Sequence, residues 1–60
     1  MDCRSKQDAG GCKVYTTRYY YDKINNVCKT FTYGGCQGND NRYEDENECL
    51  EACFSEGKLE

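Results

Sequence analysis

A small, disulfide-rich α+β domain is what these 60 residues specify, and three features say so. Six Cys sit in a chain of this length. Two runs rich in β-branched and aromatic residues precede a segment with a helix-start signature. Large aliphatic side chains and Phe are scarce: Val14, Ile24, Val27, Phe31, Leu50, Phe54 and Leu59 are the whole set. A domain this short buries only about 60% of its unfolded surface. Ordering each residue costs on the order of 1.5 kcal/mol, which so few apolar side chains do not offset. Disulfides supply the difference, each contributing about 3–4 kcal/mol if its loop spans a few tens of residues. Zinc is the other use of clustered Cys. The chain has no Cys-x-x-Cys pair and no His, so no metal and no cofactor is expected. Disulfides persist in oxidising compartments, which predicts a secreted, extracellular protein.

The elements follow in order. Residues 16–22, Thr-Thr-Arg-Tyr-Tyr-Tyr-Asp, suit a first strand, and residues 27–33, Val-Cys-Lys-Thr-Phe-Thr-Tyr, a second. Between them Asn25-Asn26 can take the positive φ of a tight turn, so a twisted two-stranded antiparallel hairpin is predicted. Asp45-Glu46-Asn47-Glu48 resembles a capping box, with Asp45 as N-cap and Glu48 three residues on. The helix it opens is expected over about 45–54, with Gly57 at its exit. Cys49 and Cys53, four residues apart, then project from one helical face. A hairpin and a short helix are each marginal alone. Tyr19, Tyr20, Tyr21, Phe31, Tyr33 and Tyr43 are the expected core fillers, since a Tyr ring packs while its hydroxyl finds a polar partner. The whole chain, 1–60, reads as one domain with its core at 3–53 and a flexible tail at 55–60. No apolar stretch precedes Cys3, so the chain reads as a mature form or an excised domain. Met1 then reads as a start residue and Lys58-Leu59-Glu60 as an added tail.

Charge is unevenly spread. The net charge is −3, yet residues 1–37 carry +3 and residues 38–60 carry −6. The acidic half argues against nucleic acid as a partner, and no apolar run is long enough to cross a membrane. With no His and no nucleophile–base pair, the chain is not expected to be an enzyme. Asp45 and Glu48 look like paired carboxylates, but capping accounts for both.

The Cys pattern is Cys3-x8-Cys12-x15-Cys28-x7-Cys36-x12-Cys49-x3-Cys53. Six Cys allow fifteen pairings, so spacing alone leaves the connectivity open. Across nearly the whole chain this pattern resembles the Kunitz-type, pancreatic trypsin inhibitor-like domain. Tyr33-Gly34-Gly35-Cys36 resembles that family's hallmark segment, and Gly10 stands where the family uses Gly. Arg18, Tyr19, Tyr20 and Phe31 fit its hairpin, Asn41 its buried Asn, and Tyr43 the aromatic that follows. The resemblance implies the bridges Cys3–Cys53, Cys12–Cys36 and Cys28–Cys49. It also implies a short N-terminal helical turn ahead of the hairpin and helix. Two of these bridges would tie the elements to the helix. The third would clamp two loops into a rigid ridge.

The resemblance further implies a reversible, substrate-like inhibitor of trypsin-like serine proteases, acting as a monomer. The reactive loop would be Gly11-Cys12-Lys13-Val14-Tyr15-Thr16. Lys13 would enter the primary specificity pocket, with Lys13–Val14 as the reactive bond. Gly34, Gly35, Cys36 and Gln37 would form a secondary loop. Trypsin, plasmin, kallikrein and coagulation proteases all take a basic residue there. Arg18, on a strand, is expected to stack over aromatic rings instead of acting as a second specificity residue. The chain departs from the family pattern in two places. Val14 stands where a very small residue is commoner, which is expected to narrow the set of accepted proteases. Lys6, Gln7 and Gly11 occupy a region often rich in Pro, which loosens the approach to the loop. The alternative is an ion-channel-blocking Kunitz-like toxin, a role that draws on basic clusters. Near the N-terminus this chain offers Arg4 and Lys6.

Overall fold

The hairpin forms where the β-branched and aromatic runs predict it. The structure, a computed structural model, describes residues 2–54. Strand β1 spans Thr16–Asp22 and strand β2 spans Val27–Tyr33. They pair antiparallel from Thr16 opposite Tyr33 to Asp22 opposite Val27. The turn between them is built by Asp22. Its Oδ1 accepts from Ile24 N and Asn25 N, and its Oδ2 accepts from Asn25 Nδ2 at 2.8 Å. Asn26, at φ 57°, is the turn residue that takes the left-handed conformation. The Asn25 hydrogen bond and Lys29, whose Nζ lies 3.2 Å from Asp22 Oδ2, hold the Asp22 carboxyl below its ordinary pKa.

Helix α1, Glu46–Cys49, begins at the expected cap. Asp45 Oδ1 accepts from Glu48 N at 2.8 Å. The reciprocal half of the box is displaced by one residue: Glu48 Oε1 accepts from Glu44 N at 3.0 Å, not from the cap residue's own N–H. The segment Leu50–Phe54 continues as a wider π-type turn, so the single helix expected over 45–54 is two kinds of winding in sequence. Gly57 and the rest of the expected tail at 55–60 lie outside the described residues, as does Met1.

The N-terminal segment is not a helical turn. Residues 3–5 bend around Asp2, whose Oδ1 accepts from Arg4 N and Ser5 N at 2.9 and 3.0 Å. The carbonyls at the end of the bend are held by distant side chains. Ser5 O accepts from Asn41 Nδ2 at 2.7 Å, and Lys6 O from Asn39 Nδ2 at 2.9 Å.

All three bridges are formed as the resemblance implied: Cys3–Cys53, Cys12–Cys36 and Cys28–Cys49. Two of them fasten the helical segment to the N-terminus and to β2. Tyr21, Tyr43, Cys49 and Cys53 make the buried cluster, with Cys3, Tyr19, Cys28 and Ala52 packed on it. Half-cystines thus fill the place that aliphatic side chains take in larger domains. Tyr33 is also buried, whereas Tyr19, Tyr20 and Phe31 are half-buried. By register, Tyr20, Phe31 and Tyr33 share the ribbon face opposite Tyr19 and Tyr21. Their rings meet edge-to-face, with centroids 5.6 Å and 6.5 Å apart.

The outer edge of β1 is covered by residues 41–43. Tyr19 and Tyr43 exchange both backbone N–H···O bonds, at 2.9 and 2.8 Å. Two residues along, Asn41 does the same with its side chain. Its Oδ1 accepts from Tyr21 N at 2.8 Å, and its Nδ2 donates to Tyr21 O at 3.0 Å. Asn41 is 0% exposed, and every arm of its amide is engaged. A side chain here substitutes for a strand partner, which leaves no unpaired backbone polar group at Tyr21.

Candidate functional site: a two-loop ridge

Two segments run side by side beyond the open end of the hairpin. One is the chain entering β1, residues 9–15. The other leaves β2 at Gly34. The Cys12–Cys36 bridge joins them, with Cα atoms 5.6 Å apart. Two backbone bonds reinforce it: Val14 N donates to Gly34 O at 2.9 Å, and Gly34 N donates to Ala9 O at 2.7 Å. Gly34 is buried between the carbonyls it faces, and a Cβ there would collide with Cys12 O and meet Ala9 O at 2.8 Å. Glycine is therefore required for backbones to approach this closely. Gly10 has the same role from the other side: it stands at φ 75°, and a Cβ would collide with Cys36 O.

The ridge brings the residues named from sequence together. Gly11, Cys12, Lys13, Val14 and Tyr15 are all exposed, Val14 at 69% and Tyr15 at 66%. Thr16 turns inward as the first residue of β1, and its Oγ1 is buried with no hydrogen-bond partner among the described residues. Gly35, Cys36 and Gln37 lie alongside: Gly35 faces Val14, and the Gln37 side chain lies over Gly11. Lys13 sits between two pinned neighbours. Cys12 is held through sulfur, Val14 through its backbone N–H, and the Lys13 side chain makes no ion pair or hydrogen bond among the described residues. An exposed cation between two tied residues has less backbone entropy to lose on docking than one on a free loop.

The secondary loop has support of its own. Gln37 O accepts from Tyr33 Oη at 2.8 Å and from Arg42 Nη1 at 3.1 Å. The Arg42 guanidinium lies 4.3 Å from the Tyr33 ring centroid. Arg18, expected to stack on a ring, instead donates from Nη1 to Thr17 O at 2.8 Å. Sequence reasoning missed two contributors, Ala9 and Arg42. Ala9 acts only through its carbonyl, which no sequence signal reports. Arg42 gives no sequence signal of its contact, because the ring it covers is nine residues away in the chain.

Residues 2–54 match the family model described as the Kunitz/Bovine pancreatic trypsin inhibitor domain. Papilin of Caenorhabditis elegans is 50% identical over 52 residues, covering 87% of this chain. A Kunitz-type serine protease inhibitor, bitisilin-1 of Bitis gabonica, is 47% identical over 53 residues, covering 88%. The Kunitz-type serine protease inhibitor of Eristicophis macmahoni is 45% identical over 56 residues, covering 93% of this chain and 90% of that protein. The chain spans 2% of papilin and 59% of bitisilin-1. Among solved structures, one of pore-modulating toxins that block K+ channels superposes with a TM-score of 0.84 at 29% identity, over 87% of this chain and 88% of that one.

Proposed function

The chain belongs to the Kunitz/Bovine pancreatic trypsin inhibitor family, and on that premise we propose that it is a secreted, reversible, substrate-like inhibitor of trypsin-like serine proteases. Lys13 enters the primary specificity pocket, and Lys13–Val14 is the bond presented to the catalytic serine. The observation that carries this reading is the placement of exposed Lys13 between Cys12 and Val14, each tied to the facing loop. A cation so presented suits a pocket with an Asp at its base. The ties also explain inhibition as opposed to turnover. After attack, the amine of Val14 stays beside the acyl carbonyl because Gly34 O still holds its N–H. Religation is then intramolecular and outruns water. Tyr15 and the Gly35–Gln37 segment form the rim of the contact.

Titration of trypsin with the oxidised domain tests this. Stoichiometric inhibition below micromolar concentration is expected. Lys13→Leu is expected to abolish it and to favour chymotrypsin-like enzymes, while Lys13→Ala weakens binding to both. Absence of inhibition by the wild type at micromolar concentration, or rapid complete cleavage at Lys13–Val14, overturns the proposal.

A second reading has one observation in its favour. The structural neighbour described above blocks K+ channels. At the hairpin-turn end, away from the reactive loop, this chain has a groove of about 310 Å³ that Arg4, Lys6 and Lys23 border, with Tyr20 and Ile24 among its apolar lining. Channel block would use that end, so Arg4→Glu with Lys6→Glu separates the readings: it leaves protease inhibition intact and removes any current block.

A further inference from the structure

We infer that Arg42 is a positioning residue for the reactive loop, acting through the carbonyl of Gln37 and the Cys12–Cys36 bridge. The inference rests on the inhibitor reading above. Gln37 is a non-glycine residue at φ 62°, and Gly38 follows at φ 87°. Two successive left-handed residues are a sparsely populated arrangement, which persists only where its surroundings over-determine it.

Arg42 supplies that constraint. Its Nη1 donates to Gln37 O at 3.1 Å and to Asn39 O at 3.0 Å, so one guanidinium nitrogen bridges carbonyls on both sides of Gly38. The same guanidinium lies 4.3 Å from the Tyr33 ring centroid, and the Tyr33 hydroxyl donates to Gln37 O at 2.8 Å. Cation, ring and carbonyl thus close a triangle. Gln37 O, with two lone pairs, is fully used, which fixes the plane of the peptide that follows Gln37. Cys36 immediately precedes it and is bonded to Cys12, the neighbour of Lys13. The rigidity of the reactive loop is in this way borrowed from a clamp on the facing loop. The planar guanidinium lies over the ring while its Nη1 reaches both carbonyls; an ammonium on a flexible stem has donors enough but no planar face to hold it there. Arg42 takes no part in the buried cluster of Tyr21, Tyr43, Cys49 and Cys53. Its loss therefore registers in the loop and leaves the core unchanged.

The test compares wild type with Arg42→Met, which keeps the apolar stem and removes the donors, and with Arg42→Lys. Three quantities are read: dissociation rate from trypsin, net hydrolysis of Lys13–Val14 over long incubation, and amide hydrogen exchange of the free domain. Removing a charged hydrogen bond predicts that Arg42→Met dissociates about tenfold faster, with hydrolysis accelerated in parallel. Arg42→Lys is expected to behave like Arg42→Met. Exchange is expected to rise at Val14 and Gly34, whose N–H groups are bonded across the ridge, and to stay unchanged at Tyr21 and Tyr43. Unchanged exchange at Val14 and Gly34, an equal rise at Tyr21 and Tyr43, or unchanged dissociation despite a loosened loop each overturns the inference. A wild type that fails to bind trypsin defeats the inhibitor reading separately, and exchange in the free domain still decides whether Arg42 holds the loop.

Discussion

Replacing Asn41 by Ala removes one side chain and strands three backbone groups. Tyr21 N–H loses its acceptor, and Tyr21 C=O and Ser5 C=O lose their shared donor. Asn41 is 0% exposed and its bonds to Tyr21 are buried, so water reaches the Tyr21 groups only if the structure opens, while the Ser5 carbonyl is part-buried. Each buried polar group left unpaired costs about 1–3 kcal/mol, and partial rehydration of the space relieves some of that. The expected loss is about 3–5 kcal/mol, a large share of the roughly 5–15 kcal/mol that stabilises a small domain. In melting temperature this corresponds to roughly 15–30 °C. Guanidinium unfolding of the oxidised protein, followed by circular dichroism and tyrosine fluorescence, measures the loss directly. Asn41→Asp is the sharper control. It keeps an acceptor for Tyr21 N–H but sets a carboxylate oxygen against the Ser5 and Tyr21 carbonyls, so its loss is expected to equal or exceed that of Ala. A loss below about 1 kcal/mol for Asn41→Ala at unchanged m-value would refute the idea that this amide stands in for a missing strand.

Other perturbations follow from the same contacts. Gly34→Ala drives a Cβ into Cys12 O and Ala9 O, so it is expected to cost about 1–3 kcal/mol and to weaken protease inhibition, both measurable on one preparation. Thr16→Val removes a buried hydroxyl with no partner among the described residues and is expected to stabilise the domain by about 1 kcal/mol in denaturant titration. Burial raises the Tyr43 pKa above its ordinary 10.0. The stability tied to its neutral form is therefore complete below pH 10 and is lost as pH rises through the raised value; Tyr43→Phe is expected to remove that alkaline loss from the pH–stability profile.

The local elements were legible because their causes are local. The strand bounds 16–22 and 27–33 coincide with the observed strands, since β-branched and aromatic residues mark a pleated surface wherever they occur in a run. Asp45 caps the helix because an N-cap needs only a short polar side chain and the residues just beyond it. The N-terminal helical turn came from the family resemblance; here residues 3–5 bend around Asp2, and Asn39 and Asn41 hold the Lys6 and Ser5 carbonyls from more than thirty residues away in the chain. Arg18 was expected to stack on a ring, and Arg42 was assigned no role, for a similar reason. Which cation covers a ring depends on where the chain returns, and residue type does not record that.

The Cys count and scarce aliphatics, read from the sequence alone, required that cross-links stand in for a core. The family resemblance of their spacing supplied the pairing. Tertiary structure decided what each cross-link does. Cys3–Cys53 and Cys28–Cys49 lie in or against the buried cluster, where they fill volume. Cys12–Cys36 lies outside it, where it holds Lys13 on a backbone also fastened through Gly34. A sequence states that two sulfurs are available. Only the fold determines whether the bond between them packs a core or stiffens a loop, because that depends on which backbones the chain brings together around it.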